Sequence, residues 1–291
     1  MEMVQQALLT PFAEFAFMRR ALLGTFLICV SACPVGVFLM LRRMSLAGDA
    51  MAHAILPGAA AGFALFGLKL VPMTLGGLIA GGVVALGAGA VSRFTILRED
   101  AAMAAFYLIS LAAGVVMVSA RGSGLDLLHI LFGTVLALDD QALALIGLIT
   151  AVTSTAILLL WRGLVAECLD PLYLRSVSKL GPALHFAFLV LLVLNLIAGF
   201  QALGTLLCVG LMILPAAAAR FWAGRAASLC LTAIAFGLAA SLAGLLLSYH
   251  AALPSGPAII LSAGSLYLGS LLLGPRGLRL SLHASPRRRA I

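Results

Sequence analysis

The chain has 291 residues, 63% of them hydrophobic and only 10% charged, with a formal net charge of +8 and a mean hydropathy of +1.18. Soluble domains carry roughly 25% charged residues, and a chain of this length could not hide so much apolar surface from water. Spanning helices, which have lipid to face, can. The positive charge could point to nucleic acid, but there is no basic aromatic platform. The arginines stand at the ends of apolar runs, where membrane proteins keep them.

In chain order, the beginning shows no cleavable signal peptide: Glu2 and Glu14 occupy the place of a basic region and Thr10-Pro11 interrupts any early apolar run. Nine apolar runs of about spanning length then follow, 21–41, 46–67, 71–92, 101–119, 140–161, 181–199, 202–216, 226–248 and 256–273. They predict an all-α membrane protein, a polytopic helical bundle of about nine transmembrane helices in one domain spanning 1–291. The bundle covers 17–274 and a basic cytoplasmic tail covers 275–291. Run 202–216 is near the lower length limit and ends at Pro215. If it fails to span, eight crossings remain and the alternation breaks. With nine, 14 of the 18 basic residues fall on one side, leaving Arg19, Arg20, Lys69 and Arg121 on the other. That is a positive-inside pattern with the N-terminus outside.

The second run carries the chemistry. Asp49 and His53 are a carboxylate and an imidazole four residues apart, so on a helix both lie on one face. An intramembrane acid is costly and by default marks a path for ions, protons or substrate. One acid and one neutral imidazole are half of a tetrahedral zinc site, or less of a six-coordinate manganese site. The competing reading gives Asp49 a helix-capping role or an ion pair with Arg43, and makes His53 a hydrogen-bonded core residue. Gly58 and Gly62, and Gly77 and Gly81, have the small-xxx-small spacing that lets helices approach closely. Packing within one subunit is the plain explanation, a dimer seam or pore lining the other.

Residues 121–139 are too short to cross and return, and read as a half-helix or re-entrant segment on the outer side. Asp126 and His129 within it are possible entrance ligands, though solvated or capping roles compete. Asp139 and Asp140 suit the N-terminus of the fifth helix. Residues 162–180 read as a polar cytoplasmic amphipathic segment. Pro215 is predicted to break a spanning helix, which restarts as a short Ala-rich helix ending at Arg220. With Phe221 and Trp222 beside it, that helix suits docking in a groove of a soluble partner. His185 and His250 read as packing residues and His283 as solvated. The five cysteines form no C-x-x-C pair, and the ten methionines, which could suggest copper(I), read as ordinary packing.

These residues carry a resemblance. Arg42 to Gly58, RRMSLAGDAMAHAILPG, resembles the signature of the zinc/manganese/iron family of ABC importer permeases. Gly204-Thr205-Leu206-Leu207 and Ile213 to Arg220 resemble that family's coupling region. Leu131-Phe132-Gly133 and Leu253-Pro254-Ser255-Gly256 are similar too. The resemblance runs from about Phe17 to Leu273. It implies a type II ABC importer permease-like fold in the bacterial cytoplasmic (inner) membrane. It also implies metal contact by Asp49 and His53, and coupling to a separate ATPase subunit through Pro215, Ala216, Arg220 and Phe221. The partners it implies are that ATPase, an extracytoplasmic metal-binding protein, a second permease copy and the lipid bilayer, with no nucleic acid. The cargo would be zinc or manganese, or iron, with no permanently bound cofactor and no enzymatic activity in this chain. Consistent with that, the sequence holds no G-x-x-x-x-G-K-[ST] phosphate loop.

The other reading is an ion-coupled secondary transporter using Asp49 and His53 as a proton or ion relay. It calls for inverted repeats with broken helices, which the sequence does not show. An intramembrane metalloprotease would need H-E-x-x-H, which is absent, and Ser123 between glycines reads as a turn.

Overall fold

The computed structural model describes residues 11–67, 69–120, 138–169, 174, 178 and 180–278. Nine helices of fifteen residues or more carry most of these: α1 Ala16–Leu41, α2 Ala47–Phe66, α3 Leu70–Phe94, α4 Glu99–Ala120, α5 Asp140–Leu169, α6 Gly181–Leu203, α7 Thr205–Ala219, α8 Ala226–Ala251 and α9 Ser255–Leu273. Each contains or overlaps one of the apolar runs, because in lipid a backbone must satisfy its own polar groups and the helix does so within one segment. Among the described residues, seven helices are long and apolar enough to cross a membrane, and α7 is a shorter apolar helix.

α1 and α6 form the axis of the bundle. In each, 72% of the apolar window is buried, against 17% in α4, so α4 presents most of its length outward. Phe38 of α1 is fully buried at this axis, with Trp161 of α5 edge-on at 5.6 Å and Phe188 of α6 at 6.3 Å. Deeper in the bundle Asn195 of α6 donates to Thr153 of α5 at 2.9 Å and to its own Leu191 carbonyl at 2.8 Å, so a buried amide does not go unsatisfied. Ile79, Val83, Leu108, Ile109, Leu158, Leu159 and Leu268 are exposed, an outer surface suited to acyl chains.

α6 and α7 are a tight antiparallel hairpin. Cys208 packs directly on Gly199, and its thiol lies 3.6 Å from the Asn195 carbonyl. The apex is Gly204, at φ 85 and ψ 161, a backbone region open in practice to glycine alone.

Contacts between helix ends sort the termini into two layers. The start of α1 meets the start of α5 through Arg20 and Asp140, 3.0 Å apart. At the other end, Arg42 meets Cys168 and His185, and Arg276 after α9 meets Ala223 between α7 and α8. This second layer is the basic end. Among the described residues it also carries Arg43, Arg93, Arg98, Arg162, Arg220 and Arg225.

Two expectations are corrected. The segment 162–180 does not begin as a separate amphipathic piece, because α5 continues to Leu169. Leu164 and Glu167 are buried and Cys168 meets Arg42, so two further turns are held by inward contacts rather than released to the surface. Nor does Pro215 break its helix: α7 runs through it to Ala219, with no separate short helix after it. Proline removes the hydrogen bond to the carbonyl four residues back, that of Leu211. The Cys33 thiol of α1 donates to this oxygen at 3.3 Å, which supplies the missing partner and lets the helix continue.

Candidate metal path

α2 begins one short turn after α1. Arg43 takes a left-handed φ of 60, and the Met44 amide donates back to the Leu39 carbonyl at 2.9 Å, which reverses the chain within a few residues. Asp49 lies in the first turn of α2, where the helix dipole favours a carboxylate, and the N-cap has no side-chain hydrogen bond. His53 follows one turn later, its Nε2 3.8 Å from Asp49 Oδ1. The ionisable group beside Asp49 is thus this imidazole, on the same face of the helix.

The rest of α2 is clamped. Gly48 faces Met212 and Ile213 of α7, the Ser110 hydroxyl of α4 donates to the Ala54 carbonyl at 3.0 Å, and Pro57 lies against Gly114. Gly58 and Gly62 meet the backbone of α3 at Gly76 and Pro72, while Gly77 and Gly81 of α3 receive the Ile55 side chain. Both small-xxx-small pairs thus serve packing inside the subunit. Met51, Ala52, Ala54 and Ile55 turn inward. Asp49, with 65% of its side chain exposed, and His53, with 32%, turn outward, and Leu56 and Ala60 continue this accessible stripe.

Two donors on an accessible stripe can hold a divalent ion weakly. Pro57 adds a further feature, since it has no N–H to return to the His53 carbonyl one turn back. Among the described residues no group of three or more His, Cys, Asp or Glu is placed to hold a metal ion. Asp49 and His53 are thus two donors and no more, fewer than a closed tetrahedral or octahedral shell needs.

The sequence model of the ABC 3 transport family matches residues 14–274. The chain belongs to that family. The manganese import system permease protein ScaB of Streptococcus parasanguinis is 32% identical over 263 residues, covering 90% of this chain and 92% of that protein. A probable iron transport system membrane protein of Haemophilus influenzae is 31% identical over 258 residues, 89% and 94% of the two chains. Among solved structures, PsaBC from Streptococcus pneumoniae in complex with Fab superposes with a TM-score of 0.82 at 31% identity, over 95% of this chain and 98% of that one. An ABC transporter solved in an inward-facing conformation, 17% identical with a TM-score of 0.66 over 87% and 85% of the two chains, shares the fold.

In this ABC 3 family chain the residues expected to couple lie together at the basic end. Pro215 and Ala216 are buried inside α7, Arg220 is its exposed C-cap, and Phe221 is half-buried with its ring 6.0 Å from that of Tyr267. Trp222 is half exposed beside them. Asp126 and His129 lie outside the described residues. Asp139 caps α5, accepting from the Ala142 amide at 2.7 Å, and Asp140 pairs with Arg20.

Sequence reasoning missed one group. His185, expected as a packing residue, stands 2.9 Å from Glu99 and 3.0 Å from Arg42, while Arg93 lies 3.7 Å from Glu167. Ionisable groups at the ends of five different helices converge here. The available signal was that these charges all fall at the same end under an alternating topology, but nothing in their spacing pairs them.

Proposed function

We propose that this chain is the membrane permease of an ATP-driven importer that carries a divalent transition metal ion into the cell. The observation that carries this reading is the pairing of Asp49 and His53 on the accessible stripe of α2, in a chain whose relatives are named for manganese and iron transport. A carboxylate and an imidazole suit manganese and iron(II), and zinc as well, so the choice among them falls to delivery and availability. With an incomplete shell on each subunit, a second copy across the stripe would double the donors. The basic end faces the cytoplasm on this reading. ATP hydrolysis belongs to a separate subunit docked on the 220–225 turn, and an extracytoplasmic protein delivers the ion at the opposite end. The chain itself is a transport subunit and not an enzyme, and its metal is cargo rather than a resident cofactor.

The test uses Asp49→Asn, which keeps shape and removes charge, and His53→Ala, which removes the nitrogen donor. Each should abolish metal accumulation in cells while the complex still assembles. A secondary transporter would instead lose its dependence on the proton gradient with Asp49→Asn and keep working when the ATPase is inactivated. Normal metal accumulation by both variants would return the pair to a structural role.

A further inference from the structure

The basic end holds a cavity of about 250 Å³ lined by Arg42, Arg93, Arg98, Glu99, Glu167 and His185, among others. Buried charges are expensive unless paired, and nothing in the metal path uses these. Arg42 is the C-cap of α1 and is held on three sides. Its guanidinium lies 4.3 Å over the Phe188 ring, its Nε donates to Cys168 Sγ at 3.4 Å, and one Nη stands 3.0 Å from His185 Nδ1.

Arginine has donors and no acceptor. His185 Nδ1 must therefore accept, and it can do so only without a proton. A neutral imidazole carries one N–H, here on Nε2, which stands 2.9 Å from Glu99 Oε1 although not aligned for a straight hydrogen bond. The result is an arginine–imidazole–carboxylate chain linking the end of α1 to α6 and to the start of α4. Protonating His185 would set an N–H and a positive charge against Arg42 in a site where the imidazole is about 7% exposed. The groups facing His185 are then Arg42 from α1, Glu99 from α4, and, around the same cavity, Arg93, Arg98 and Glu167, with the Cys168 thiol behind Arg42. Arg42 opens the turn that delivers Asp49 seven residues later; the turn closes through its own backbone bonds, and the Arg42 side chain ties its first residue to α5 and α6.

We propose that His185 is a positioning residue for transport: in its neutral form it fixes Arg42, and through Arg42 the turn that aims the Asp49–His53 pair. Protonation releases that anchor. This rests on the reading of Asp49 and His53 as the metal path.

The test reconstitutes the permease with its ATPase in proteoliposomes, supplies the metal-delivery protein on the opposite side, and measures ATP-driven Mn²⁺ uptake while the pH bathing the basic end falls from about 8 to about 5, the range over which imidazoles change charge. A proton on His185 lowers the maximal rate, and wild type should show that fall. His185→Leu should cut the maximal rate about tenfold or more at every pH, the order expected when a charged hydrogen bond is lost. His185→Gln, whose amide oxygen can accept from Arg42 and whose amide nitrogen can face Glu99 without titrating, should restore most of the rate and remove its acid fall. The same acid fall of the maximal rate in His185→Gln as in wild type overturns the proposal, as does normal uptake by His185→Leu. Asp49→Asn is run in parallel. Normal uptake there defeats the metal-path reading itself, whereas a dead Asp49→Asn beside an unimpaired His185→Leu defeats this proposal alone. If His185→Leu fails to assemble, the pH profile of His185→Gln decides.

Discussion

Gly58 stands so close to Gly76 that a methyl group on either would strike the other's backbone. Backbone, unlike the end of a flexible side chain, cannot step aside, so Gly58→Ala must part α2 from α3. Overpacking of this kind costs about 1–3 kcal/mol, and the purified protein in detergent should melt at a lower temperature. Gly82→Ala is the contrast: nothing lies within 4 Å of its added carbon, and exchanging glycine for alanine in a helix favours the helix. It should melt no lower than wild type. Residue-scale features were legible where the partners are local. Asp49 and His53 are one helical turn apart, so their shared face follows from spacing, as does the close approach at Gly58 and Gly62. His185 was not legible because its partner Arg42 is 143 positions away and no periodicity links a lone histidine to charges on other helices.

At the level of the element, α7 is the instructive case. A proline in an apolar run reads as a break because its own ring and missing N–H argue against helix. What sequence cannot show is that a thiol from α1 will come to the freed carbonyl. The consequence for coupling is that Arg220 and Phe221 are not on an independent surface helix. They form the end of a rigid rod packed on α1, α8 and α9, followed by a turn. Changing Arg220 and Phe221 together to Glu should abolish transport-linked ATP hydrolysis while the permease still inserts and assembles, measured as metal-stimulated ATPase activity of the purified complex. Unchanged stimulation would move the docking site to the segment after α5. The two extra turns of α5 were missed for a related reason. Trp161, Arg162 and Glu167 look like a departure from the membrane, yet Trp161 and Glu167 are drawn inward, by Phe38 and Arg93.

For the molecule as a whole, the architecture was readable because in a bilayer length and apolarity nearly suffice. A run that can span has to be a helix, and charges mark where it ends. The alternation of those ends is checked by the contacts of Arg20 with Asp140 and of Arg42 with Cys168. A reporter fused after Ile291 should therefore be cytoplasmic and a tag before Met1 extracytoplasmic, as read by accessibility to an impermeant label. Both termini on one side would mean that one helix, most simply α7, does not cross. What sequence could not supply was which helices lie at the axis, since α1 and α5 are similarly apolar and only packing sets their burial apart.

The turn at 220–225 is not finished by its own residues. Arg276 donates its backbone amide to the Phe221 carbonyl at 3.0 Å and its guanidinium to the Ala223 carbonyl at 2.6 Å, a clasp made by a residue 53 positions further along. On a ribosome, chain that has not yet been made can hold nothing. When α7 and α8 have already entered the membrane, the loop between them still awaits the end of α9. The turn proposed to meet the ATPase thus takes its final shape among the last events of synthesis, and a chain cut short before Arg276 would keep the whole of α2 and its Asp49–His53 pair while leaving an unclasped loop at the basic end.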